Sequence, residues 1–213
     1  VPAAGLPPRP ELAEVGVDQP PRRHQASDDD DRDHDPDCDL WQSATQTVFG
    51  EGPRGAEVVM VGEQPGDRED VEGRPFVGPA GRVLDDAMRE AGIDRSAVYL
   101  TNAVKHFRFE QRGKRRIHKT PAGRQVTACM PWFRAELDAL SPRVVVLLGA
   151  VAAKAVMGAD FRVSRQHGTA LPGPGGTTVL ATAHPSSVLR AGDQRKRRMA
   201  ELVADLAVVP SLL

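Results

Sequence analysis

The amino-acid sequence predicts an α/β protein: a three-layer α/β/α sandwich around a central, mainly parallel sheet of four strands. Three observations carry this. Four short segments read as strands: Val58–Gly62 is a continuous apolar run and Arg143–Gly149 is one buried on both faces. Segments with helical spacing of apolar residues lie between them. The connections are short, as in strand–helix–strand units of one hand.

Val58-Val59-Met60-Val61-Gly62 is the first strand, closed by a glycine. From Gly81 to Ala91, residues Val83, Leu84, Ala87, Met88 and Ala91 share one helical face, and Gly92 ends that helix. Val98 to Asn102 is the second strand. Thr127 to Leu140 is a helix, with Trp132, Phe133, Leu137 and Leu140 spaced for its inner face. Arg143 to Gly149 (RVVVLLG) is the third strand, and Ala150 to Met157 continues it as a helix. Val179 to Thr182 is the fourth strand, and a last helix runs from about Arg195 to Val208. In open parallel sheets, ligands bind beyond the carboxyl ends of the strands. That rule singles out Glu63-Gln64-Pro65-Gly66, Ala103 to Pro121, and Ala183 to Arg190.

The 213 residues suffice for one domain with a substantial core. Residues 1–34 are expected to be a disordered, acidic and Pro-rich tail, with the folded domain at 35–213. That tail combines Pro2, Pro7, Pro8, Pro10, Pro20 and Pro21 with the run Asp28 to Asp31, and offers too little apolar surface to offset its ordering entropy. Charge is divided unevenly. Residues 1–40 hold 4 Arg and 11 acidic residues, whereas residues 41–213 hold 24 basic and 18 acidic ones. A basic domain with an acidic tail suits a polyanionic partner; the plainer reading is a solvated tail that aids solubility. No apolar run reaches the roughly 18 residues of a membrane span, and no signal peptide is apparent, so a cytoplasmic protein is expected. Two cysteines, Cys38 and Cys129, form no disulfide framework and are either buried thiols or metal ligands. No feature demands a dimer, and a monomer is expected.

The loops are more specific. Gly62-Glu63-Gln64-Pro65-Gly66-Asp67 follows a strand but lacks the Lys-Ser/Thr of a phosphate loop and the spacing of a dinucleotide fingerprint. It suits a tight turn that presents backbone N–H groups and two polar side chains. In Gly73-Arg74-Pro75-Phe76-Val77-Gly78-Pro79-Ala80-Gly81, Phe76 stands among turn formers. It is either a core residue or a stacking platform for a flat base. In His184-Pro185-Ser186-Ser187-Val188-Leu189-Arg190, His184 at a strand end can donate to a developing anion. Ser186 and Ser187 can bind phosphate or cap a helix, and Leu189 can wedge into a base stack. Lys114-Arg115-Arg116-Ile117-His118-Lys119 is, on composition, a solvated or phosphate-binding loop.

Taken in order, GEQPG, GRPFVGPAG, TNAVKHF and HPSSVLR resemble the uracil-DNA glycosylase superfamily over residues 35 to about 208. The similarity is greatest to its iron–sulfur branch, and KRRIH with GEQPG resembles the UdgX group. The resemblance implies excision of uracil from DNA, single strands preferred. It places Phe76 under the base, Asn102 at its polar edge and His184 against the leaving anion. Gln64, Ser186 and Arg190 are implied as substrate contacts. Lys114, Arg115, Arg116, Ser187 and Leu189 are implied as contacts to the strand.

In the UdgX group the loop histidine bonds covalently to the abasic sugar. The resemblance therefore assigns that role to His118, with Glu63 as the carboxylate beside it. It also implies a [4Fe–4S] cluster. Asp35 stands where relatives carry a first cysteine, followed by Cys38, His106 and Cys129, with His34 as an alternative to Asp35. Carboxylate is a hard partner for cluster iron, so the other expectation is a lost or labile cluster with the thiols packed as small apolar groups. Three rival functions remain at this level: a turnover glycosylase without adduct, a non-catalytic binder of single-stranded or damaged DNA, and a nucleotide-binding regulator. The absent phosphate fingerprints disfavour the last.

Overall fold

A computed structural model describes residues 38–213. In chain order its elements are β1 (Val58–Gly62), α1 (Asp67–Glu72), α2 (Pro79–Glu90), β2 (Val98–Asn102), β3 (Phe109–Arg112) and β4 (Arg115–His118). There follow α3 (Gly123–Leu140), β5 (Val144–Leu148), α4 (Ala150–Met157) and α5 (Val163–Gln166). The chain ends with β6 (Ala170–Pro172), β7 (Thr178–Thr182), α6 (Ser186–Leu189) and α7 (Arg195–Leu206). The expected tail, Asp35 and His34 lie outside the described residues.

The fold is the expected α/β sandwich, but its sheet has five strands rather than four, in the order β2-β1-β5-β7-β6. The first four are parallel, and β6 is an antiparallel edge to β7. The extra strand has three residues, no apolar run and Pro172. An edge strand tolerates proline because its outer N–H has no ladder partner to lose.

Every residue of β1 and β5 is buried. Alternate side chains serve opposite faces, as the period of two requires. Met60, Val146, Leu148 and Leu180 meet Leu84 and Met88 of α2 and Leu202 and Leu206 of α7. Val59, Val61, Val145, Leu147 and Val179 meet Phe133 of α3 and Ala152 and Ala153 of α4. Each large aliphatic side chain removed from water in this way contributes about 1.5–3 kcal/mol. These two layers fix which strand ends face the crevice.

Two elements depart from the sequence expectation. Trp132 is 56% exposed and packs edge-on against Phe49, with ring centroids 6.2 Å apart. The inner stripe of α3 follows Cys129, Phe133 and Leu137 at steps of four, and Trp132 stands one residue, some 100°, off that stripe. The basic segment is not an open loop. It forms an antiparallel hairpin in which Phe109 pairs with His118 and Gln111 with Arg116. Gly113, at φ +59°, opens its two-residue turn, where the positive φ matches the twist of the strands.

Candidate functional site

The sheet order reverses between β1 and β5: from β1 the chain moves outward to β2, then crosses to the other side for β5. The crevice opens at that switch point. Glu63 follows β1, Asn102 ends β2, and His184 follows β7. Gly62 lies beside Asn102 in the ladder. A Cβ on Gly62 would come within 2.3 Å of Asn102 Oδ1 and 2.8 Å of the Phe76 ring, so only glycine lets the two converge there. Across the crevice, a Cβ on Gly149, which stands at φ +91°, would press on His184 Cβ at 2.9 Å.

Phe76 is buried and holds φ +57°, a left-handed conformation costly for a bulky residue. Glu69 supports it. Its buried carboxylate accepts the backbone N–H groups of Gly66, Gly78 and Phe76, joining the two loops that frame the crevice, and its burial raises its pKa. The ring stacks near His184, with centroids 6.4 Å apart and planes inclined by 26°. Asn102 is buried, and its Nδ2 has no partner among the described residues. An unpaired buried donor costs about 1–3 kcal/mol, which a ligand carbonyl would recover.

His184 Nδ1 accepts the Ser186 N–H at 3.2 Å and lies 2.8 Å from Ser186 Oγ, which in turn accepts from Arg190 Nη1 at 2.9 Å. In the neutral ring this leaves the proton on Nε2. Burial, then the charges of Arg190 and His118, push its pKa down to about 4. His184 is thus a neutral hydrogen-bond donor at physiological pH, suited to a developing oxyanion.

His118 Nε2 lies 3.8 Å from Glu63 Oε1, which is itself buried and has no hydrogen-bond partner among the described residues. Desolvation, then Arg190, lowers the His118 pKa, while burial raises that of Glu63. The imidazole therefore keeps a free lone pair at neutral pH beside a carboxyl group that can offset positive charge formed later.

The hairpin that delivers His118 is pinned. Gln64, expected at the substrate, is spent on this task. Its Nε2 donates to the carbonyls of Arg108 and Lys119 at 3.1 Å each, and its Oε1 accepts the Arg108 N–H at 3.1 Å. Arg116, expected on phosphate, is likewise engaged. It pairs with Asp67 at 2.5 Å and with the fully buried Asp70 at 2.6 Å, and its guanidinium covers the rings of Phe107 and Phe109. Only Asp70 is fully buried, and loss of Arg116 would leave its carboxylate without a cation. Lys114 and Arg115 at the turn are exposed, as is Leu189 at 40%. Ser187 Oγ is buried and without a partner among the described residues.

A second cluster lies under the start of the described chain. Donor atoms of Cys38, His106 and Cys129 lie within 4.8 Å of one another. Thr47 Oγ1 holds His106 Nε2 at 3.0 Å, which leaves the buried Nδ1 for the sulfurs. Hydrogen bonds from Cys129 and then His106 pull the Cys38 thiol down to about 4, and the same contact raises that of Cys129. Two sulfurs and a buried imidazole nitrogen, oriented by an outer hydroxyl, fit a soft-metal site. Asp39 ties the neighbouring backbone down by accepting from Gln125 Nε2 at 2.6 Å.

Sequence reasoning missed Glu69, and the only signal was its place three residues after Gly66, where a carboxylate can accept from the preceding turn.

The crevice thus lies at an α/β switch point and brings together an aromatic ring, an unpaired amide donor and two imidazoles whose pKa values are lowered. Residues 49–207 match the family described as the uracil DNA glycosylase superfamily, and the chain belongs to that superfamily. A type-4 uracil-DNA glycosylase of Thermotoga maritima is 37% identical over 163 residues, covering 76% of this chain and 81% of that protein. A second, of Sulfurisphaera tokodaii, is 39% identical over 58% of this chain and 55% of its own length. A third, of Pyrobaculum aerophilum, is 38% identical over 56% and 58%. The chain spans little more than half the length of the latter two. Among the described residues no helix is long and apolar enough to cross a membrane.

One consequence concerns pH. The folded pKa of His184, about 4, lies below its ordinary 6.5, so the unfolded chain takes up this proton first. The stability it contributes is present above pH 6.5 and is lost as pH falls toward 4. NMR of the ring is expected to show neutral-imidazole shifts from about pH 8 to about pH 5; a midpoint near the ordinary value would contradict this arrangement.

Proposed function

We propose that this protein excises uracil from DNA and that His118 then bonds covalently to C1′ of the exposed sugar. The observation that carries the reading is His118 held 3.8 Å from Glu63 by a pinned hairpin, on a crevice that also presents Phe76, Asn102 and His184. The names of the relatives, type-4 uracil-DNA glycosylases, support the first part.

Uracil must leave the base stack to enter the crevice, at a cost of a few kcal/mol that is least in single strands, the preferred substrate in this reading. Phe76 stacks on the ring. The free Asn102 Nδ2 donates to a uracil carbonyl while Oδ1 accepts the ring N–H. The amino group of cytosine would set donor against donor. As the bond from C1′ to N1 breaks, its electron pair moves onto the base, and His184 Nε2–H donates to the oxygen that gathers charge. The sugar becomes an oxocarbenium ion. A lone pair of the neutral His118 imidazole closes on C1′, and Glu63 balances the resulting imidazolium. Lys114, Arg115, Ser187 and Leu189 rim the site as contacts to the strand.

We propose further that Cys38, His106 and Cys129 hold a [4Fe–4S] cluster, with Asp35 or His34 completing it. Such a cluster, when bound, supplies cross-linking of the amino-terminal segment rather than any reaction step. Anaerobically purified protein is then expected to be brown, absorbing near about 400 nm, with the colour lost in Cys129→Ala. Colourless wild-type protein would contradict it.

Trapping is tested by His118→Ser. That variant is expected to release free uracil over many turnovers, whereas the wild-type protein stops after one equivalent. Loss of excision in His118→Ser would refute the trapping role, and repeated turnover by the wild type would make the protein an ordinary turnover glycosylase.

A further inference from the structure

Lys105 is 1% exposed, and none of the steps above uses it. Its Nζ donates to Thr101 Oγ1 and to the Asn102 carbonyl, at 2.8 Å each, and to the Glu136 carboxylate. Glu136, from α3, also accepts the Thr101 hydroxyl at 2.8 Å and the Gly50 N–H at 2.8 Å. Every donor and acceptor of this network is therefore matched.

A matched buried ion pair is not a cheap source of stability, since well-packed apolar residues of similar volume often do as well or better. Its position suggests another use. Lys105 closes a short turn that begins at Asn102. Within that turn the Ala103 N–H donates to the Gly62 carbonyl at 2.9 Å, and the Val104 N–H to the Glu63 carbonyl at 3.0 Å. The same four residues thus set the amide of Asn102 and the backbone of Glu63. On its other side, the Lys105 N–H donates to the Cys129 sulfur, and the next residue is His106.

We propose that the Lys105–Glu136 pair is a positioning element of the reaction, fixing the Asn102–Val104 turn so that the base-reading amide and the Glu63 carboxylate stand in one register. This rests on the glycosylase reading above. Neither residue touches substrate; both act through the turn.

The test is single-turnover excision by Lys105→Met/Glu136→Leu, which replaces the pair with apolar groups of similar size. The double variant is expected to bind a uracil oligonucleotide with wild-type affinity and to reach full amplitude. Its rate constant should fall by about a hundredfold, the loss that follows an ångström-scale misplacement. Lys105→Arg, which keeps the charge, should recover most of that loss. A wild-type rate constant in the double variant would overturn the proposal. Should the double variant fail to fold, Thr101→Val is read the same way. A slower rate at full amplitude supports positioning, whereas an unchanged rate, or lost amplitude alone, overturns it. Absence of excision by the wild-type protein would instead refute the glycosylase reading.

Discussion

Gln64 lies buried under the β3–β4 hairpin, and its amide groups are spent on the backbone of residues 108 and 119. Those two residues flank the strands on either side, so one side chain closes the base of the hairpin. Arg116 closes its middle against Asp67 and Asp70. Without these bonds the segment keeps little beyond its two-stranded ladder and the ring contacts of Phe107 with Phe109 and His118, and an isolated hairpin is marginal in water. His118 faces Glu63 only because a polar, half-exposed ribbon has been given a buried polar floor. The imidazole is thus held in place by the fold itself, which in the proposed reaction leaves little ordering entropy for the chemical step.

The electrostatics of the crevice follow from the same compactness. Arg190 acts on Glu63, His118 and His184 alike. Burial opposes charge on each of the three, and Arg190 adds to that effect on the histidines. The result is two neutral imidazoles with different tasks. One is held by Ser186 so that its proton points outward. The other is free to offer a lone pair. A third charged group in this space would spoil both, so the remaining basic side chains stand outside, on the hairpin turn and the rim.

The parallel core was legible because its signal is local. Val58–Gly62 and Val144–Leu148 are apolar throughout and need cover on both faces, and Val98–Asn102 opens apolar before ending in Thr101 and Asn102. Elements without an apolar face were not legible. β6 carries a proline, α1 exposes its Val71, and β3 and β4 bury no residue fully. At the site, motif resemblance pointed to Glu63, Phe76, Asn102, His118 and His184, and the fold gathers them at one crevice, their roles remaining the proposal above. The roles of Gln64, Arg116 and Lys105 could not. Each is defined by partners that folding brings together, such as the 55 residues separating Gln64 from Lys119. A polar side chain near a motif looks like a ligand contact until its hydrogen bonds are counted.

Covalent capture at His118 is the central claim, and the linked atoms test it most directly. The wild-type protein would be incubated with a uracil-containing oligonucleotide, denatured in hot detergent, digested and sequenced by mass spectrometry beside a thymine control. The expected product is a uracil-dependent peptide–sugar conjugate carried on the imidazole of His118. Free uracil and an alkali-labile strand, with the His118 peptide unmodified, would contradict it.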